Sequence, residues 1–430
     1  MKTANPWQLA ALCTVPFIMV LGNSMLIPVL PELRQALHVS KPQAGLMITA
    51  FSIPAAVVIA VAGFFSDRYG RKVIMVPGIL LYALGGVLAG TAAWLLRDRA
   101  FWPILAGRVV QGLGAAGTAP IAMATVGDLF RPSERTRPLG LLEAANGVGK
   151  VVSPILGSLI GLLVWWMVFY GFSVLAVLAA AAVWFGVPEP KYEKAKGSVG
   201  KYLGEVGGVF KQRGASLLAA IWCGTVALFV LFGILFFLSE YLESRYGMDG
   251  IPKGLVLAIP LGAMALTSYF AGAYLQERPA LTKPAVVTGF TVGAAGLLLI
   301  PLLRADWFFF VGITLLGFGT GLVLPGLNTL VTSAGGSAER GMITAVYGAV
   351  RFFGVAMGPP LYGWLMGRSK FLPFWFSAIL VGLTAVVALF FVRAQRLPRQ
   401  GGGREKGAPE PQRWAPPEDL PAGTRRPVGP

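Results

Sequence analysis

Long apolar runs alternate with short polar segments along most of the chain. Twelve such runs lie near residues 7–31, 43–65, 73–96, 101–127, 138–162, 164–187, 214–240, 253–275, 284–303, 307–330, 342–365 and 371–392. About 20 apolar residues in an α-helix cross the ~30 Å hydrocarbon core of a bilayer. The pattern therefore predicts an all-α integral membrane protein with 12 transmembrane helices.

The polar segments divide these helices into two halves. We expect an N-terminal six-helix half over 1–187, a cytoplasmic central loop over 188–213 and a C-terminal six-helix half over 214–393. Residues 394–430 are rich in proline, glycine and charge, a composition typical of disordered tails. A shift of 205 residues places Gly112, Gly114, Pro120, Gly149 and Pro154 on Gly317, Gly319, Pro325, Gly354 and Pro359. The halves are thus predicted to be pseudo-repeats, an arrangement typical of secondary transporters.

Composition agrees with a membrane environment. The chain is 55% hydrophobic and 13% charged, against about a quarter charged in ordinary globular proteins. Its net charge of +17 comes from short Lys and Arg clusters between apolar runs, a pattern that favours anchoring at an anionic membrane face over nucleic-acid binding. The loops on the same side of the membrane as the N-terminus hold sixteen Lys and Arg before the tail. The loops on the other side of the membrane hold nine. This bias predicts a multi-pass cell-membrane protein with both termini cytoplasmic.

One glycine pattern raises the question of an enzyme. Gly112, Gly114 and Gly117 have the G-x-G-x-x-G spacing of dinucleotide-binding turns. They lie in the middle of an apolar run that is far too long for a strand, so we interpret them as helix-packing residues. Cys13, Cys223 and the one histidine, His38, suggest no metal site, and no catalytic triad can be assembled. The sequence predicts no enzyme, no metal and no cofactor.

Several motifs resemble those of the major facilitator superfamily. The segment "GFFSDRYGRK" is similar to the signature loop of that family, and "RVVQGLGAA", "GKVVSPILGS", "GVAMGPPLYG" and "NSMLIPVLPEL" resemble motifs of its drug:proton antiporter-like branch. The resemblance implies a conformational gate in which an arginine of the loop lies near an acid at the end of span 4. The gate residues by this match are Gly63, Asp67, Arg68, Gly70, Arg71, Lys72 and Asp128. It also implies a monomer in the bilayer that moves a small molecule with the proton gradient as its energy source.

Charged residues inside predicted spans are candidates for the transport pathway, because intramembrane charge is costly. Arg108, Glu143, Lys150 and Arg351 lie far from the span ends. Weaker candidates for the substrate and proton pathway are Asn23, Gln111, Asn146, Asn328 and Tyr347. Structural alternatives stay open: Arg108 as a buried tether, Glu143 and Lys150 as a fixed ion pair, and Arg351 paired with a neighbouring helix. Glu32, Glu240, Glu243 and Asp306 lie near outer span ends, where we expect them to be solvated.

Small residues and prolines mark the predicted helix contacts. The helix-packing candidates are Gly112, Gly114, Gly149, Pro154, Gly157, Gly354, Gly358, Pro359 and Gly363. Together these features favour a proton-coupled exporter of small amphiphilic compounds. Three deep cations against one deep anion favour anionic or zwitterionic substrates, with Glu143 as the candidate coupling carboxylate. The alternatives are an importer or uniporter of an organic anion and, in a different class, a membrane sensor without turnover.

Overall fold

A computed structural model describes residues 6–115, 119–130, 136–189, 199–303, 305–332 and 337–392. Fourteen α-helices make up most of these ranges, as the apolar runs predict. They are α1 Pro6–Ser24, α2 Leu30–Ala36, α3 Lys41–Tyr69, α4 Arg71–Leu96, α5 Phe101–Ala115, α6 Ala119–Leu129, α7 Thr136–Gly161, α8 Met167–Gly186, α9 Val199–Tyr246, α10 Gly250–Glu277, α11 Thr282–Leu303, α12 Asp306–Thr332, α13 Ser337–Arg368 and α14 Leu372–Phe391.

Local sequence signals set several of the helix ends. Ser40 and Gln43 form a reciprocal capping box at the start of α3, which satisfies backbone N–H groups that no helical turn can reach. Gly70 separates α3 from α4 with φ +130°, a conformation that residues with a side chain rarely adopt. The tight turn between α3 and α4 therefore depends on glycine at this position.

By length and composition, ten helical segments of the described residues could cross a membrane. Each of them matches one of the twelve apolar runs. The two runs without such a segment are those of α7 and α13, which carry Glu143, Lys150 and Arg351. Charged and small polar residues lower the hydropathy of these helices, so composition alone gives ten spans where the sequence pattern predicts twelve.

The central segment differs from its predicted boundaries. Residues 199–213 are helical and form the first turns of α9, whereas the sequence pattern predicts a loop over all of 188–213. Residues 190–198 and the predicted tail, 394–430, lie outside the described residues, as do Gly117, Arg131 and Arg135. The same holds for the side chain of Asp67.

The helices pack in two groups. In the first, α4 packs against α5 and α8, α3 against α5, and α1 against α7 and α8. In the second, α11 packs against α12 and α14, α9 against α13, and α10 against α12. Extensive packing of α3 on α13 and of α7 on α10 joins the two groups. The contact surfaces of these four helices are therefore where the groups would have to move against each other.

Close backbone approach recurs at corresponding positions of the two groups. A Cβ atom added at Gly112 would fall on the Phe51 carbonyl oxygen, and one added at Gly317 would fall on the Pro260 carbonyl oxygen. The other predicted packing glycines also contact neighbouring helices: Gly114 meets Tyr82, Gly149 meets Phe17, Gly157 meets Met25, Gly354 meets Thr225, Gly358 meets Phe229 and Gly363 meets Lys41. Without Cβ atoms, these residues let the helices approach backbone to backbone.

The predicted packing prolines lie where the two groups meet. Gly254 of α10 contacts the backbone of Pro154 and Ile155 in α7. In the corresponding place, Gly45 of α3 contacts Pro359 and Pro360 of α13. These contacts lie toward the end of the bundle where α3 and α10 begin, which we call the α2–α3 end. The opposite end, where α3 turns into α4, is called the α3–α4 end.

Gly157→Ala should destabilise the protein, because its new Cβ would overlap the Met25 carbonyl oxygen. We expect a cost of about 1–3 kcal/mol, the usual range for overpacking. Gly140→Ala in the same helix is a matched control, since no atom lies within 4 Å of its added Cβ. Thermal unfolding of the purified protein in detergent should show a lower midpoint for Gly157→Ala only. Equal midpoints for the two variants would contradict the assigned contact.

Candidate transport pathway

Arg108 lies at the junction of three helices of the first group. Its side chain is fully buried. It donates hydrogen bonds to the Met47 carbonyl oxygen at 2.9 Å, Gln111 Oε1 at 2.5 Å and Asn23 Oδ1 at 2.9 Å. Its guanidinium also lies over the Phe51 ring, 4.7 Å from the centroid. Arg108 thereby links α5 to α1 and α3.

The Arg108 cluster is closed to solvent in this conformation. Gln111 is fully buried and Asn23 is 4% exposed. All three hydrogen-bond acceptors of Arg108 are neutral, and no carboxylate of the described chain forms an ion pair with it. Asn23 is held further by a hydrogen bond from its Nδ2 to Ser52 Oγ at 2.9 Å. This geometry favours the tether role for Arg108, with Asn23 and Gln111 as its partners.

Arg351 is the centre of a second polar cluster, in the other group of helices. Its Nη1 donates to Asn328 Oδ1 of α12 at 3.0 Å, and its guanidinium lies 4.9 Å from the Tyr347 ring centroid. Tyr347 is 1% exposed. Among the described residues, neither the Tyr347 hydroxyl nor Arg351 Nε has a hydrogen-bond partner. The cluster therefore contains a hydroxyl and a guanidinium N–H that are still available to bind a ligand.

A polar face of α7 carries three more of the predicted pathway residues. Glu143, Asn146 and Lys150 follow helical steps of three and four residues, so they share one face. Lys150 is partly buried. Lys150 of α7 and Arg351 of α13 lie on two helices that each pack across the boundary between the groups.

Neither Glu143 nor Lys150 is fixed by a contact. Glu143 is exposed, and over the described ranges no ion pair within 4.0 Å or hydrogen bond joins either residue to a neighbour. The fixed Glu143–Lys150 ion pair considered from the sequence is therefore not formed in this conformation. The hydrogen bonds of Arg108 lie within the first group of helices, and none of those that the structure describes joins it to Lys150 or Arg351. The predicted pathway residues therefore fall into two separate clusters.

The predicted gate forms a charged cluster at the α3–α4 end. Arg71 Nε donates to Asp128 Oδ2 at 2.8 Å, and its Nη1 donates to Ser66 Oγ at 2.8 Å. Arg68 is exposed and lies 6.0 Å from the Tyr69 ring centroid. The contact between Arg71 and Asp128 has the geometry that the family resemblance implies for the loop arginine and the acid of span 4.

Sequence reasoning missed a carboxylate in this cluster. Glu189, just after α8, accepts the backbone N–H of Arg71 at 2.6 Å and that of Lys72 at 2.9 Å. These groups begin α4 and have no partner within their own helix. Lys72 donates to the Val187 carbonyl oxygen at 3.0 Å and lies 4.9 Å from the Trp184 ring centroid. The end of α8 is thereby tied to the turn between α3 and α4.

The expectation that the outer acids are solvated is wrong for Glu240. This residue is only 3% exposed, because α2 and the start of α3 cover it with two cations at the α2–α3 end. Glu32 and Asp306 are exposed as expected, and Glu243 is partly buried. The site is formed by a carboxylate on α9 and two cations on α2 and α3. Nothing in the sequence of any of these helices indicates that they meet in the fold.

An apolar groove is separate from both clusters of pathway residues. It has a volume of about 460 Å³ and is formed by residues of α9, α13 and α14, including Trp222, Val350 and Phe391. None of the predicted pathway residues lines it. The chemistry of the candidate site therefore depends on the charged residues of α7 and α13.

Comparison with known proteins places this arrangement in a family. The chain matches the Major Facilitator Superfamily over residues 12–359 and 253–426. It is 38% identical over 387 residues to the bacillibactin exporter of Bacillus subtilis (strain 168), covering 90% of this chain and 95% of that protein. It is 27% identical to a multidrug efflux protein, YfmO, of the same organism, covering 84% of this chain and 85% of that protein.

Solved structures share the fold at low sequence identity. The human organic anion transporter MFSD10 superposes with a TM-score of 0.68 at 20% identity, covering 89% of this chain and all of that one. A D-xylose–proton symporter gives a TM-score of 0.71 at 14% identity, covering 90% of this chain and 98% of that one. The similarity extends across nearly the whole chain, and the family consists of transporters rather than enzymes. The chain is a member of the major facilitator superfamily.

Proposed function

We propose that the protein is a proton-coupled efflux transporter of small anionic or zwitterionic compounds. The observation that carries this proposal is a pair of intramembrane cations, Lys150 of α7 and Arg351 of α13, on helices that pack across the two groups. Neither cation has a carboxylate partner within 4.0 Å in the described part of the chain. Two unpaired cations in a largely apolar environment are costly, and a bound anion would offset that cost.

The proposal treats α7 and α13 as the remaining two of twelve spans. Each is long enough to cross a bilayer, and each packs on both groups of helices. A helix surrounded by protein and a polar cavity does not need the hydropathy of a lipid-facing one. The recurrence of the Gly112–Phe51 contact as Gly317–Pro260 supports two pseudo-repeated six-helix halves.

Relatives support the direction of transport. An exporter of bacillibactin and a multidrug efflux protein are among the similar curated proteins. We take bacillibactin as the first compound to test and do not restrict the substrate class to it. In our proposal both termini are cytoplasmic, so the α2–α3 end faces outward. The protein would then be closed to the outside in this conformation, and the halves would rock about the Lys150–Arg351 site.

Glu143 is the proposed coupling carboxylate. It lies on the same face of α7 as Lys150, about 10 Å away along the helix axis at ~1.5 Å per residue. At that spacing Lys150 can attract Glu143 strongly only when its side chain extends toward it. An anionic substrate and the Glu143 carboxylate would then compete for Lys150. Glu143 would take up a proton in the state of the cycle in which Lys150 is drawn away from it and release that proton in the other state.

Transport into inverted vesicles from cells that produce the protein, compared with vesicles from cells that lack it, tests the proposal directly. In inverted membrane vesicles, an imposed pH gradient should drive accumulation of labelled bacillibactin or of an acidic fluorescent compound above its equilibrium level. Ethidium, a quaternary ammonium dye, should accumulate much less. Accumulation of ethidium alone would contradict the anionic substrate class, and movement of acidic compounds only down their own gradient would indicate a uniporter.

Removing either cation should weaken anion binding. Lys150→Gln and Arg351→Gln should each raise the KM for an acidic substrate about ten- to a hundredfold, because each removes a charge-assisted interaction worth about 1.5–3 kcal/mol. Lys283→Gln is a matched control at the start of α11, away from this site. The effect should be absent for a neutral substrate of similar size. Unchanged KM values in both pathway variants would exclude this pair as the anion site.

Glu143→Gln should separate binding from coupling. The amide cannot exchange a proton, so the variant should bind the acidic substrate while its flux no longer rises with an imposed pH gradient. Glu277→Gln, an exposed position at the end of α10, is the matched control. Flux measured with and without the gradient in proteoliposomes checks this prediction. If Glu143→Gln responds to the gradient like the parent protein, another carboxylate carries the proton.

A further inference from the structure

The ion pairs that cover Glu240 connect the two groups of helices. Glu240 lies on α9, and its carboxylate accepts a hydrogen bond from Arg34 Nε of α2 at 2.9 Å. Lys41 Nζ, at the start of α3, lies 3.6 Å from its other oxygen. Both cations therefore come from the first group of helices, whereas the buried carboxylate belongs to the second.

A second set of contacts lies beside the first. Glu243, one turn further along α9, accepts hydrogen bonds from Gln35 Nε2 and from Lys253 Nζ, each at 2.8 Å. Ser239 donates to the Ile27 carbonyl oxygen at 2.8 Å, again across the two groups. Lys253 comes from α10 of the same group as Glu243, so it neutralises that carboxylate without linking the groups. Glu240 is the carboxylate whose contacting cations both lie across the boundary.

From this arrangement we infer that Glu240, Arg34 and Lys41 form a latch that holds the α2–α3 end closed. When the halves part at this end, Glu240 loses both contacting cations and water takes their place. In the closed state the ion pair is shielded from water, so exchanging its charge-assisted contacts for solvent costs more than it would at an exposed surface pair. The latch therefore stabilises the closed state and opposes opening, and its strength sets the ratio of the two states.

Burial distinguishes this latch from ordinary surface ion pairs. Exposed pairs contribute little because water screens them. The Glu240 side chain is 4% exposed and the Arg34 side chain 27%, so solvent reaches the pair mainly from the arginine side. The inference rests on the proposed function, because a latch matters only if the halves separate at this end during transport.

Distance measurements on the full-length protein in lipid nanodiscs test the latch. Spin labels at Leu163 and Leu302, which are 71% and 61% exposed, report on the two halves at the α2–α3 end. Cys13→Ser and Cys223→Ala remove the native thiols, which would otherwise also be labelled. Glu240→Gln should raise the ratio of the long-distance to the short-distance population about tenfold, since a modest change in free energy shifts a two-state ratio by that factor. Glu277→Gln should leave the ratio unchanged.

A second variant keeps the test independent of folding defects at Glu240. The double substitution Arg34→Gln with Lys41→Gln leaves the carboxylate in place and should shift the ratio in the same direction. The latch would be overturned if the parent protein shows two distance populations and their ratio is the same in Glu240→Gln and in the double variant. A parent protein that shows one unchanging distance, with and without substrate and a pH gradient, would instead contradict the rocking movement of the proposed function.

Discussion

Close approach of helix backbones is the constraint on which this structure depends. Between helices in lipid there is no hydrophobic driving force like that in water, so association relies on packing and interhelical hydrogen bonds. Gly112 and Gly114 bring α5 against the backbones of α3 and α4. That approach places Arg108 close enough to reach the Met47 carbonyl oxygen of α3 and Asn23 of α1. A bulky residue at either glycine would move the arginine away from its acceptors.

The three intramembrane cations Arg108, Lys150 and Arg351 have the same charge, but their surroundings suit them to different roles. Arg108 uses its hydrogen-bond donors on fixed neutral acceptors within one group of helices and is closed to solvent. Arg351 Nε has no hydrogen-bond partner among the described residues, and over the same residues no carboxylate lies within 4.0 Å of Lys150 or Arg351. A buried residue that only holds helices together is most stable when all of its hydrogen-bond donors are paired, because each paired donor lowers the cost of burial. A binding site needs donors that a ligand can occupy, and this difference is why we assign the substrate to the second pair.

Much of the architecture could be predicted from the sequence, because apolar run length and loop charge act locally. The helices, the packing glycines and the contact of Arg71 with Asp128 follow from such patterns or from the family resemblance. The latch and the Glu189 cap could not be predicted, because each joins residues more than a hundred positions apart. Glu240 looked like a solvated residue at a span end, and contacts from α2 and the start of α3 cover it. The low hydropathy of α7 and α13 is a sequence signal of helices that pack on the other group.

The charged cluster at the α2–α3 end connects the two groups of helices. Arg34 and Lys41 of the first group reach across to Glu240 of the second. In the orientation we propose, opening this end to the outside therefore requires breaking ion pairs between the groups. An anion bound between Lys150 and Arg351 would attract both cations and so draw the two groups together at that site. In the transport cycle we propose, substrate binding thus supplies the attraction that offsets the loss of the latch.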